Sequence, residues 1–294
     1  MGSLIGHVLP GVGFLLIGLW HLFNHIKLHA LNPNSYIASP WFPTFKSKYS
    51  ELYLIIAGST ASIAMELFIS PEKHQPFDSD GTIPTVHLHT FEHSSISLAL
   101  LVYASFAILL DKIFSQARHE LIYFLGAIAF SQELLLFHLH STDHFGPEGQ
   151  YHFLLQLVVF VCLITTLMGI GFPKTFLISF VRSLSILFQG VWLIVMGFML
   201  WTPNLLPKGC FLHDEDGRLV AKCSGEESLH RAKSLINLEF SWYLTGISIF
   251  GVSIYLVLVK IYGQKVKYFS LGRGEEEKEG EDLDDVESQK KSML

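Results

Sequence analysis

Residues 133–156 read ELLLFHLHSTDHFGPEGQYHFLLQ, a stretch carrying four histidines (His138, His140, His144, His152) and three carboxylates (Glu133, Asp143, Glu148) between apolar runs. Imidazole nitrogens and carboxylate oxygens are ligands for Zn²⁺ and for non-haem iron or manganese. They are also the side chains that accept protons as general bases or pass them along a relay. A second such grouping lies upstream in HLHTFEH, where His89, Glu92 and His93 stand at i, i+3 and i+4, one face of a helix. Glu133 and His140 are two helical turns apart, and Glu148 and His152 one turn apart, with Pro147 placed for the first turn of a new helix. Glu66, in MELF, lies inside another apolar run. The candidate ligands of zinc or another divalent metal are therefore Glu66, His89, His93, Glu133, His140 and His152, with Glu133 or Glu66 as candidate base. Interhelical hydrogen bonding and a proton relay use the same residue types and stay open beside the metal. No HExxH, P-loop or GxSxG pattern occurs.

The elements that carry these groups are apolar helices. Half of the 294 residues are hydrophobic and only 16% are charged, against about 25% in an ordinary soluble chain. Seven apolar blocks, at about 4–22, 51–70, 84–110, 121–140, 152–171, 175–201 and 238–261, are each long enough to cross a ~30 Å hydrocarbon core as a helix. Ten-residue alternation, the mark of a β-barrel, is absent. The expected fold is all-α: a polytopic bundle of seven transmembrane helices over 1–262, followed by an acidic, disordered tail at 263–294. From Arg273 onward the tail holds nine acidic and four basic residues, −5 of the chain's −6. Such a tail is a candidate docking segment for a protein partner. The first block lacks the basic flank and cleavage site of a secretory signal. MGSLIG lacks the Ser or Thr of a myristoylation site. No basic, aromatic-laced surface suits nucleic acid. The expected partner surface is the lipid bilayer.

Lysine and arginine favour cytoplasmic loops. With the N-terminus outside or lumenal and the C-terminus cytoplasmic, the cytoplasmic segments carry ten of these residues and the outer loops six. Cys210 and Cys223, two of the three cysteines, share the 202–237 loop. A disulfide there fits an oxidising side, and two separate thiols fit the spacing as well.

Seven spans impose a parity on the histidines. Eleven of the 15 fall near one face of the bilayer, and only His21, His25, His29 and His119 near the other. Glu66, His93 and Glu133 lie about 6–13 Å inside their spans at 1.5 Å rise per residue. Unpaired acids at such depth are unfavourable by a few kcal/mol, so acids and imidazoles of different helices are expected to meet in one pocket. His74, His119, His213 and His230 read as interfacial hydrogen-bonders. The His21, His25, His29 stripe reads as a solvated or headgroup-facing surface.

GHVLPGVGFLLIGLWH at residues 6–21, MELF around Glu66, the histidines at 89–93 and VRSLSILFQGVWLIVMGFMLWTP at 181–203 resemble the transmembrane protein 45 family. These are seven-helix membrane proteins of unknown biochemical function. The long 202–237 loop and SLINLEFSWY are similar to its plant branch, and the likeness covers about residues 1–262. It implies a seven-helix topology and marks His7, Glu66, His93, Glu133, His140, His152, Arg182 and Gln189 as family positions, with His7, Arg182 and Gln189 in structural roles. Animal members carry a second histidine two residues after the one matching His140. Thr142 stands there in this chain, so His138 or His144 would have to replace it in a shared site.

The expected function is a multi-pass membrane protein with a His/Glu site near its outer face, holding a divalent metal and acting on a lipid or other interfacial substrate through metal-activated water. The alternative is a membrane scaffold or trafficking protein whose polar cluster is structural. A proton or cation carrier is the third class, but no internal repeat or pair of broken helices accompanies it.

Overall fold

The computed structural model describes residues 3–44, 47–69, 75–139, 146–215 and 218–291. Among the described residues seven α-helices make up the fold: α1 (Leu4–Leu31), α2 (Ser50–Ala64), α3 (Leu88–Lys112), α4 (Arg118–Leu139), α5 (Gly146–Gly171), α6 (Phe176–Trp201) and α7 (Glu226–Lys291). Each of the seven, α2 together with the turn that continues it to Ile69, includes a stretch long and apolar enough to cross a membrane, which fits an integral, multi-pass protein. The chain is the expected all-α bundle with one addition. Within the 202–237 loop, β1 (Cys210–Glu215) pairs antiparallel with β2 (Arg218–Cys223). A Cys210–Cys223 disulfide closes the open end of that hairpin.

Two helices run well past their apolar blocks. The Ser3 hydroxyl caps the start of α1 by accepting from the Gly6 amide at 3.1 Å. Its far end continues to Leu31 because the polar residues that end the apolar count, His21 and His25, find partners inside the fold. The seventh helix begins at Glu226, where Glu226 and Glu227 in its first turn favour the positive end of the helix dipole. Residues 226–263 form its candidate span, and the helix continues to Lys291 through the segment expected to be disordered.

Six helices form a ring in the order α1–α6–α5–α4–α3–α2, with α7 packed outside against α1, α5 and α6. The tightest seam is α1 on α6. A Cβ on Gly11 would lie 2.8 Å from Ile194 Cγ1 and 3.0 Å from the Gly190 carbonyl. One on Gly18 would collide with the Leu187 backbone, and one on Gly190 with Leu15 N. The seven-residue spacing of Gly11 and Gly18, and of Gly190 and Gly197, keeps each pair on one helix face. In lipid this approach matters, because helices associate there through van der Waals contact and hydrogen bonds rather than by escaping water.

On the other side of α1 the ring is nearly open. α1 and α2 touch only sparsely. Leu9 and Leu16 on α1 and Leu54 on α2 are 63%, 51% and 51% exposed, yet all three line the interior cavity. The cavity therefore opens sideways between these two helices.

Candidate functional site

The ring encloses a cavity of about 550 Å³, within the ~300–1,000 Å³ typical of small-molecule sites. Its middle is apolar, walled by side chains such as Ile96, Leu100, Phe130, Ile186 and Leu193. Polar groups gather at its two ends.

The first end lies where α1 begins. At the end of α2, Met65–Ile69 form a single π-helical turn, a departure from regular helix that is common at functional positions. It carries Glu66, 2% exposed, to 3.4 Å from His93 Nδ1 on α3. One turn deeper, Ser97 donates to the Ser62 hydroxyl at 2.9 Å, tying the same two helices. From α4, Glu133 Oε1 accepts from Gln189 Nε2 of α6 at 2.6 Å, and the Cys162 thiol of α5 approaches the Gln189 carbonyl oxygen at 3.8 Å. Gln132, next to Glu133, donates to the Ser95 carbonyl at 3.0 Å and so joins α4 to α3.

Two imidazoles complete this end. His7 and His152 have ring centres 5.7 Å apart, and His7 stacks on Trp201 at 4.6 Å. Each ring has Nδ1 beside a backbone carbonyl: Ser3 at 3.0 Å for His7 and Glu148 at 3.1 Å for His152. A carbonyl only accepts, so both Nδ1 atoms carry the hydrogen. The lone pair of each neutral ring is then on Nε2, the tautomer suited to a general base or a metal ligand.

Glu66, His93, Glu133 and His152 thus line one cavity, and His7 joins them there. His89 sits one turn from His93, their ring centres 6.4 Å apart, and does not line the cavity. His140 lies outside the described residues, as do His144 and Asp143. His138 faces a separate shallow groove, with Nδ1 3.3 Å from Gln156 Oε1. Among the described residues, no three His, Cys, Asp or Glu side chains meet closely enough to hold a metal ion. The Glu66–His93 pair brings together one carboxylate and one imidazole, two of the ligand types such a centre would use.

The second end corrects the reading of the α1 histidine stripe. His21 and His25 are only 4% and 0% exposed rather than solvated. The reason is the 36–44 segment, which folds back over this end of the bundle and brings the first turn of α2 with it. His21 Nε2 donates to Glu51 Oε1 at 2.7 Å, and Glu51 Oε2 accepts from the Phe42 amide at 2.9 Å. Arg182 of α6 directs Nη2 to His25 Nε2 and to the Ser39 carbonyl, both at 3.2 Å. A guanidinium only donates, so His25 Nε2 accepts and Nδ1 holds the ring's hydrogen. That hydrogen is given to the Tyr36 hydroxyl oxygen at 2.8 Å. Burial pushes the Tyr36 phenol above the usual tyrosine range. The Arg182 guanidinium also lies 4.6 Å above the Tyr123 ring. The i, i+4 spacing of His21 and His25 was the available signal for this cluster. What pointed elsewhere was their place at the polar margin of an apolar block.

Near the rim of the same end, Asp111 accepts from the Tyr49 hydroxyl at 2.8 Å and pairs with Lys48. The hydrogen bond from Lys48 to Asp111 raises the Lys48 ammonium above its ordinary value, and the Tyr49 hydrogen bond to the same carboxylate raises the Tyr49 phenol.

At the first end, Trp201 Nε1 donates to the Leu219 carbonyl of the hairpin at 3.1 Å, so the disulfide-closed hairpin lies over the His7 end of the cavity. Residues 119–256, from the start of α4 through the spanning part of α7, match a family of unknown function, DUF716.

Proposed function

We propose that the protein takes an amphiphile from the bilayer into this cavity and acts on its polar group at the Glu66–His93 end. One observation carries the reading. Glu66, His93, Glu133, His152 and His7 line the wall of a single cavity that opens sideways between α1 and α2. A lipid can enter such a gap without leaving the hydrocarbon, its chains along the apolar middle and its ester or headgroup at the histidines. Glu66 or Glu133 then acts as general base, and the Nε2 lone pairs of His7 and His152 accept or return the proton. Zinc or another divalent cation belongs to this proposal, with Glu66, His93 and His140 as its ligands, and would supply a polarised water.

We also propose an N-terminus outside or lumenal and membership of the plant branch of the transmembrane protein 45 family. Support for the orientation comes from the disulfide-closed hairpin at the end where α1 begins, since disulfides persist on the oxidising side. A second reading is favoured by the Glu133–Gln189 hydrogen bond at 2.6 Å. In it the polar cluster locks the bundle of a scaffold whose acidic tail recruits a protein partner.

The test is purified full-length protein in lipid nanodiscs, assayed for metal content by mass spectrometry and for altered lipids after incubation. Wild type is expected to hold stoichiometric metal and convert lipid. Glu66→Gln, His93→Gln and His140→Ala should lose the metal and lower turnover by at least ~10²-fold, the lower range for removing an acid–base group. Wild type without metal removes the metal from the proposal. Wild type without turnover, together with partner capture lost on deleting 272–294, favours the scaffold.

A further inference from the structure

The opposite end of the cavity contains a buried cation without an acid. Arg182 is 4% exposed. Its partners are a neutral imidazole, a carbonyl and the face of the Tyr123 ring. Its Nε is buried with no hydrogen-bond partner. The acid at this end of the cavity, Glu51, has both oxygens engaged, by His21 Nε2 and by the Phe42 amide. Among the described residues no carboxylate forms an ion pair with Arg182. Burying a charge without a counter-charge is strongly unfavourable, more so in a membrane.

A second polar atom is in the same condition. Tyr123 is 3% exposed, its ring lies under the guanidinium, and its hydroxyl is buried with no hydrogen-bond partner. Arg182, Tyr123 and His21 all line the cavity. Neighbouring hydroxyls are satisfied: Tyr103 donates to the Pro40 carbonyl at 3.1 Å, and Ser39 donates to the Trp41 carbonyl at 2.6 Å. Both residues that carry these unused donors, Arg182 and Tyr123, belong to the cavity wall.

We infer that Arg182 and Tyr123 form an anion-binding site at this end of the cavity, which takes the carboxylate or phosphate of a single-chain amphiphile whose alkyl part lies along the apolar middle. The guanidinium supplies a charge-assisted N–H donor from Nε and the phenol supplies an O–H donor. An anion placed there satisfies both orphaned donors and neutralises the buried charge. The apolar stretch of the wall, Leu100, Ile122 and Ile186 among it, accounts for a ligand with a chain rather than a bare ion. This site stands apart from the chemistry proposed for the Glu66–His93 end and does not depend on it.

The experiment uses the full chain in nanodiscs of zwitterionic lipid and compares four probes: a long-chain fatty acid, the monoalkyl phosphate of equal length, the alcohol of that length, and inorganic phosphate. The two anionic amphiphiles are expected to bind at least ~10-fold more tightly than the alcohol, in keeping with a charge-assisted hydrogen bond. Arg182→Gln should erase that preference, Arg182→Lys should retain part of it, and Tyr123→Phe should lower it a few-fold. Competition by inorganic phosphate alone assigns the site to free anions, and its failure to compete assigns it to lipid-borne ones; both support the site. Equal binding of alcohol and anions by wild type overturns it, and that comparison needs no variant. A preference that survives Arg182→Gln overturns it as well. Should Arg182→Gln not fold, an unchanged preference in Tyr123→Phe has the same force. His93→Gln should leave the preference intact while abolishing lipid turnover, so the two proposals fail separately.

Discussion

The Glu133 carboxylate is 3% exposed and receives a hydrogen bond from Gln189, a residue with no exposed surface. Replacing Gln189 by Leu keeps the volume but removes that donor. The bundle should lose about 1–2 kcal/mol, the range for interhelical hydrogen bonds in membranes and for an acceptor left unsatisfied. Unfolding of wild type and Gln189→Leu in mixed micelles with rising SDS measures it, and an unchanged midpoint would remove Glu133–Gln189 as an interhelical tie. At this scale the sequence was informative wherever a charged group lay deep in an apolar run. Glu66, His93, Glu133 and His152 were legible because each is expensive to leave alone in lipid. His21, His25 and Glu51 were not, since each stands at the end of an apolar block, where water and headgroups offer an equally good solution. The loop that buries them carries no charge pattern that marks it as a lid.

Among the elements, the α1–α6 pair sets how closely the ring can be drawn together. Gly18 lies where a side chain would enter the Leu187 backbone, whereas a Cβ on Gly13, on the same helix, meets nothing within 4 Å. Gly18→Val should therefore destabilise the protein by about 1–3 kcal/mol or more, the usual effect of overpacking, and Gly13→Ala should not. Thermal aggregation of the two variants in detergent, read by size-exclusion chromatography, separates them. Equal behaviour would mean that α1 stands off from α6. The spans were legible to within a few residues in the middle of the chain, where hydropathy alone decides. The ends of α1 and the start of α7 were missed because helix continues through polar residues once tertiary partners satisfy them. The π turn at Met65–Ile69 has no signature in composition, and it is what aims Glu66.

For the molecule as a whole, ring, gap and hairpin form a single design. The hairpin was hidden in a loop with too few apolar residues to show a strand period, although its two cysteines marked its ends. Of the three cysteines, only Cys162 is free, and it is buried. After denaturation without reductant, a maleimide reagent should modify one thiol per chain, and after reduction all three. Modification of three without reduction would unpair the hairpin and remove the support it gives to an oxidising side for the N-terminus. The sparse boundary between α1 and α2 has a mechanical outcome. Its width is set by whatever presses on the two helices from the bilayer, since hardly any protein bridges them. The width of the opening should thus follow the lateral pressure and chain packing of the host membrane, so that thickness and acyl order of the bilayer set how readily the interior can be reached from the side.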